Sequence, residues 1–166
     1  MKKINTAKEM MLRQLRTLYD GDKVVYQTLP NLRKSVQTEE LAVYIDEIIE
    51  GKLRQQHRME IIFTILKEES DGVVDDVIRC IAKSQSKLVN QCVEPSLSET
   101  MTIAASREMT THQLNGYQTA VICSARAGFP DITRLLKRAL QEEKAIVLKL
   151  KTIEDDIQQV PVTIRV

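Results

Sequence analysis

ITRLLKRALQEEKAIVLKLKTIEDDI, residues 132–157, places Ile132, Leu136, Ala139, Ile146, Leu150, Ile153 and Ile157 in alternating steps of four and three, broken only by Glu143. The same spacing runs near the other end of the chain. It links Met11, Leu15, Leu18, Val25, Leu29, Leu32 and Val36, and it is broken only by Asp22. Steps of four and three set each series on one face of a helix, the face that packs against partner helices. A carboxylate on such a face loses hydration and stays ionised only beside a cation, a metal or several donors. The chain therefore reads as a helical bundle with a polar centre.

Composition agrees with that reading. The 166 residues suffice for one domain with an extended core about residues 6–159. Five Gly, four Pro, 4% aromatics and no Trp leave little material for a β protein. Charges nearly cancel, 24 basic against 23 acidic, so no overall field favours nucleic acid or an anionic membrane. The opening MKKINTAKEMMLRQLR is charged throughout and is not expected to be a signal peptide, and no window is apolar enough to span a membrane. Cys80, Cys92 and Cys123 lack metal-ligand spacing. They are expected as small buried hydrophobes in a reducing, cytosolic compartment.

Five helices are expected, all-α with no strand in the core. The first runs from about Thr6 to Val36 with a kink at Pro30, and the second starts at Thr38 as N-cap and ends in Glu68-Glu69-Ser70-Asp71-Gly72. A third, shorter helix spans about Val73 to Cys92. The fourth runs from about Glu99, capped by Ser98, to Ala127, and the fifth from a cap at Asp131 to about Gln159, where Pro161 ends it before the tail 162–166. Short turns pair the first helix with the second and the fourth with the fifth. A long crossover carrying the third helix lies between the pairs, as in ferritin-like antiparallel four-helix bundles.

All four long helices carry polar residues midway along their inner faces. The second presents Lys52 and Gln55 with Gly51 beside them, and the fourth Ser106, Thr110, Gln113 and Tyr117. Glu108 and His112 share a face of the fourth helix, and His112 is within reach of the polar centre; His57 is expected in solvent. Tyr19 and Tyr117 read as hydrogen-bonded core tyrosines. No phosphate loop, nucleophilic triad or zinc spacing is present.

Several of these segments resemble the YciE/YciF family of ferritin-like bacterial proteins. Leu18-Tyr19-Asp20-Gly21-Asp22-Lys23, followed by Thr28-Leu29-Pro30, is similar to that family's LYDAEK…ALP. Gln55, Arg58-Met59-Glu60 and Phe63 are similar to its second-helix pattern, Tyr117-Gln118-Thr119 to its YGT, and Ala139–Ala145 to its TLEEEKA. The resemblance implies a rubrerythrin-like bundle in which carboxylates and a histidine hold two iron or manganese ions, and it implies a homodimer. Asp22, Glu143 and Gln55 stand where the family keeps metal-site residues. Gly51 stands for its second-helix Glu, Lys52 for the adjacent Thr, Thr110 and Thr111 for a Glu-His pair, Gln113 for another Glu, and Val147 for an acid. A centre so depleted implies a non-catalytic, stress-associated or structural protein with no resident cofactor. Three arrangements of the centre remain open: Asp22 and Glu143 ligating iron or manganese, Lys52 replacing the metal as their counter-charge, or side chains hydrated at the bundle edge. A role as an interaction module would instead use an exposed apolar stripe on the third helix.

Overall fold

A computed structural model describes residues 3–158 and contains five helices: α1 (Ala7–Arg33), α2 (Glu39–Leu66), α3 (Asp76–Gln91), α4 (Pro95–Arg126) and α5 (Pro130–Gln158). The stop at Pro161 and the tail 162–166 lie outside the described residues, as does the side chain of Ile157. The capping residues account for the boundaries. Thr6 and Glu9 form a reciprocal capping box at the start of α1. α1 continues past Pro30 and stops at Arg33, three residues short of Val36. At the end of α2, Lys67 turns left-handed (φ 54°) and the Glu68 amide donates to the Phe63 carbonyl, which closes the helix.

Three helix starts differ from the sequence reading. α3 begins at Asp76 because the Asp75 carboxylate accepts from the Ile78 amide at 3.1 Å, a cap that leaves Val73 and Val74 outside. α4 begins four residues early, at Pro95, whose missing amide hydrogen is not needed in a first turn; Ser98 lies inside the helix and is buried. α5 begins at Pro130, so Asp131 is within the first turn, bonded to Arg134, rather than ahead of it as a cap. Thr38 does stand at the N-cap of α2, but its hydroxyl donates to Glu99 of α4 at 2.8 Å instead of capping its own helix.

The long helices form a square. The α1 backbone runs beside those of α2 and α4, and the α5 backbone beside those of α4 and α2, while the backbones of the diagonal pairs stay apart across the core. Cross-helix pairs fix the directions as antiparallel: Arg16–Glu68 and Arg33–Asp46 for α1/α2, Gln14–Gly116 for α1/α4, Arg107–Glu154 and Ser124–Thr133 for α4/α5. α3 lies across α1 and α4, burying Ile78, Ala82 and Val89. Its other side exposes Val77 and Leu88, with Val74 exposed just ahead of the helix. The cysteines are not core residues as expected: Cys80 is exposed, and Cys92 and Cys123 are half-buried. On α3 the deep positions are taken by Ile78, Ala82 and Val89, which leaves Cys80 on the outer side.

The core falls into two apolar clusters. One contains Leu29, Leu32, Ile45, Ile48, Ile103 and Leu150, the other Met11, Leu15, Met59, Ile62, Tyr117 and Leu136. A polar layer separates them.

Asp75 also secures the crossover. Its backbone amide donates to Asp20 of α1 at 2.9 Å, Asp20 accepts from Arg79 at 2.6 Å, and His112 Nε2 lies 2.8 Å from Asp75 Oδ2. His112 thus serves the crossover and not the polar centre. Burial works to raise the Asp75 pKa, but the His112 contact and the Ile78 and Val77 amides outweigh it and hold the group below the ordinary carboxylate range. A depressed carboxylate contributes stability above its unfolded pKa, and that contribution is lost as pH falls through the folded value. Asp75→Asn should therefore lower the melting temperature at neutral pH. The gap from wild type should close as both are acidified below about pH 4, measured by circular dichroism; a gap independent of pH would contradict the assignment.

Candidate functional site

Each long helix sends one or two side chains into the polar layer. Asp22 of α1, Lys52 of α2 and Glu143 of α5 are all 0% exposed, as are Gln113 and Tyr117, and Gln55 is buried beside them. The Lys52 ammonium donates to Glu143 Oε1 at 2.5 Å, to Gln55 Oε1 at 3.1 Å and to Asp22 Oδ1 at 3.2 Å. Asp22 Oδ1 accepts also from Gln113 Nε2 at 2.9 Å, and Asp22 Oδ2 accepts from the Tyr117 hydroxyl at 2.5 Å. The structure brings Asp22, Glu143, Lys52 and Gln55 together in one buried cluster.

The sequence places these groups by helical period. Lys52 and Gln55 are three apart and so share one side of α2. Gly21 makes room for the fourth helix: a Cβ there would lie 2.7 Å from Gln113 Oε1 and 2.8 Å from its Nε2. Gly51 behaves differently, since a Cβ there would meet nothing closer than Arg54 Nη2 at 3.7 Å. Gly51 lines an open cleft of about 350 Å³ between α2 and α5, together with Tyr44, Arg54, Gln55, Glu142 and Lys149. At the cleft, Arg58 holds Glu142 with two 2.8 Å bonds, and Gln55 Nε2 donates to the same carboxylate at 3.3 Å. The Arg58–Glu142 clamp was not legible as part of the centre, because both residues lie off the inner stripes.

Two carboxylates face one ammonium. Burial alone would lower the Lys52 pKa, but Glu143 and Asp22 beside it outweigh burial and hold the group charged beyond the ordinary lysine range. Burial pushes the Glu143 carboxyl up, against the pull of Lys52, with Asp22 adding to the rise. Burial and the nearby carboxylates hold Tyr117 protonated well above the usual phenol range, so it donates to Asp22. Glu143 Oε2 and Gln113 Oε1 are buried with no partner.

Di-iron bundles of this architecture take one Glu from each of two helices and a Glu-x-x-His pair from each of the other two. Here the inward positions are Asp22 on α1, Gln113 on α4, Lys52-x-x-Gln55 on α2 and Glu143-x-x-Ile146 on α5, with Ile146 packed on the apolar core. At this turn of α2 it is Lys52 that points inward, while Gly51 lines the α2/α5 cleft. Thr110 is buried, with its hydroxyl bonded to the Ser106 carbonyl. Among the described residues no three His, Cys, Asp or Glu side chains are grouped to hold a metal ion. This donor set departs from that of a dimetal centre: two carboxylates stand where that arrangement has four, and Lys52 Nζ contacts one oxygen of each.

Four antiparallel helices around a shared polar layer, with a crossover helix on one flank, define a ferritin-like protein. Residues 6–160 match the family described as Domain of unknown function (DUF892), and the chain belongs to that family. It is 21% identical over 153 residues to Protein YciF of Escherichia coli (strain K12), covering 89% of each chain. The crystal structure of the E. coli stress protein YciF superposes with a TM-score of 0.89 at 17% identity, over 95% of this chain and 100% of that one. YcfI of Rhodopseudomonas palustris, provisionally described as a structural protein, gives 0.87 at 22% identity over 91% and 96%. A two-domain Anabaena variabilis protein with DJ-1/ThiJ/PfpI-like and ferritin-like domains gives 0.68 at 16% identity, over 96% of this chain and 40% of that one.

Two substitutions test the layer. Lys52→Met strands two buried acids and should destabilise the fold by about 3–5 kcal/mol in urea unfolding; an unchanged midpoint would place the lysine in water. Gly21→Ala should lose about 1–3 kcal/mol by displacing the Gln113 amide, whereas Gly51→Ala should gain up to about 1 kcal/mol from helix propensity alone. The same urea titration reads both, and equal effects at the two glycines would argue against the packing described.

Proposed function

We propose that this protein is a non-catalytic member of its family, stress-associated or structural in role and cytoplasmic, in which the Lys52 ammonium has taken the place of the metal ions. One observation carries the reading: Nζ of Lys52 lies 2.5 Å from Glu143 Oε1 and 3.2 Å from Asp22 Oδ1, the two carboxylates that would otherwise ligate a metal. A lysine on a helix cannot leave its site as a metal ion can, so the centre is set when the chain folds. The stress association is suggested by E. coli YciF, described as a stress protein, and the structural role by YcfI. No described helix is long and apolar enough to cross a membrane. The homodimer implied by the family resemblance would pair through the apolar outer side of α3, where Val77 and Leu88 are exposed.

Elemental analysis tests the central point. Protein produced in medium supplemented with iron and manganese should carry far less than one metal ion per chain. Stoichiometric iron or manganese would overturn the proposal in favour of a metalloprotein using Asp22, Glu143 and Gln55.

A further inference from the structure

Three of the five glycines follow an aspartate or an asparagine: Asp20-Gly21, Asp71-Gly72 and Asn115-Gly116. In a flexible chain each such pair is prone to cyclise, because glycine offers its amide nitrogen to the preceding side chain without hindrance from a Cβ. The fold treats the three differently. We propose that Asp71 is a site of spontaneous isoaspartate formation in the folded protein, while Asp20 and Asn115 are protected by the helices that hold them.

Asp20-Gly21 lies within α1 and Asn115-Gly116 within α4. A helical amide is bonded to the carbonyl one turn earlier, and a helical side chain leans toward the helix N-terminus, away from the next amide. Asp20 is tied down further, with Oδ1 accepting from Arg79 at 2.6 Å and Oδ2 from the Asp75 amide at 2.9 Å. Gly21 is closed in by Gln113, and Gly116 by Leu18, whose Cδ2 would lie 2.6 Å from an added Cβ.

Asp71-Gly72 has none of this protection. Both residues are exposed in the connection between α2 and α3. Gly72 is left-handed (φ 101°), and nothing lies within 4 Å of the place a Cβ would take. Among the described residues its amide donates no hydrogen bond. The Ser70 hydroxyl donates to Asp71 Oδ1 at 3.0 Å, which polarises the carboxyl group.

The reaction needs no partner beyond water. The Gly72 nitrogen bonds to Cγ of the protonated Asp71 carboxyl, the C–OH bond breaks, and the hydroxyl leaves with the amide proton as water. A second water opens the resulting succinimide. Addition at Cγ restores aspartate, whereas addition at the main-chain carbonyl of Asp71 routes the backbone through the side chain and lengthens it by one atom. That extra length enters just ahead of Asp75, whose cap and whose contacts with Asp20 and His112 seat α3.

The test is to age the purified full chain at mildly acidic pH and physiological temperature, then digest it and map isoaspartate by peptide mass spectrometry, with an isoaspartyl methyltransferase as probe. The peptide containing Asp71 should accept the methyl group at least about tenfold more than those containing Asp20 or Asn115, since the helical pairs react only when their turns open. Ageing in urea should abolish this preference. Asp71→Glu, which would have to close a larger ring, should leave its peptide unmethylated. An aged folded chain without isoaspartate at Asp71 would refute the assignment. So would equal reaction at Asp20, or methylation of that peptide that persists in Asp71→Glu.

Discussion

The contact of one buried ammonium with two buried carboxylates is the constraint on which the bundle depends. Each partner comes from a different helix, so the contact fixes the height of α1, α2 and α5 relative to one another. Tyr117 and Gln113 bring α4 to the same level through Asp22. Apolar stripes alone hold helices together without strongly fixing how far one slides along the next. A polar layer between two apolar clusters does fix it, because any slip carries a charge into hydrocarbon. Its net contribution to stability is small beside the penalty for disrupting it.

The crossover is governed by a second, smaller polar group. α3 has few inward residues, and its position is set by Asp75, which caps its own helix and also meets Asp20 and His112 on the two helices beneath. His112 therefore has an architectural role in this crossover. The apolar side of α3 left in water follows from the same arrangement: with Ile78, Ala82 and Val89 turned inward, Val77 and Leu88 fall on the outer side and are exposed.

Much of this was legible in the sequence. Interrupted stripes at Asp22 and Glu143 located the polar layer because one charge in a regular apolar series stands out, and the same logic identified Lys52, Gln55 and Gln113. What failed was local. Pro95 and Pro130 open their helices, while Ser98 and Asp131, good caps by type, fall inside them, since capping preference does not say which of several adjacent candidates is used. Gly51 and Lys52 are adjacent in the sequence but turned about 100° apart around the helix, so Lys52 enters the polar layer while Gly51 lines the cleft. The Arg58–Glu142 clamp and the Asp75–His112 contact join residues far apart in the chain and outside any stripe, so no periodicity points to them. The cysteines were misplaced because a residue type's average burial says little about which side of an amphipathic helix it occupies.

The square of helices is unevenly insulated. α3 overlies the α1/α4 flank, while the α2/α5 seam keeps its cleft, and Gln55, which bonds Lys52, is also a wall of that cleft. The interior is thus one side chain from the outside along this corridor. Arg58 and Glu142 sit beside it like a bolt across a door. Small molecules and protons exchanging with the centre would travel by this corridor, so the permeability of the whole assembly is set on its thinly covered side.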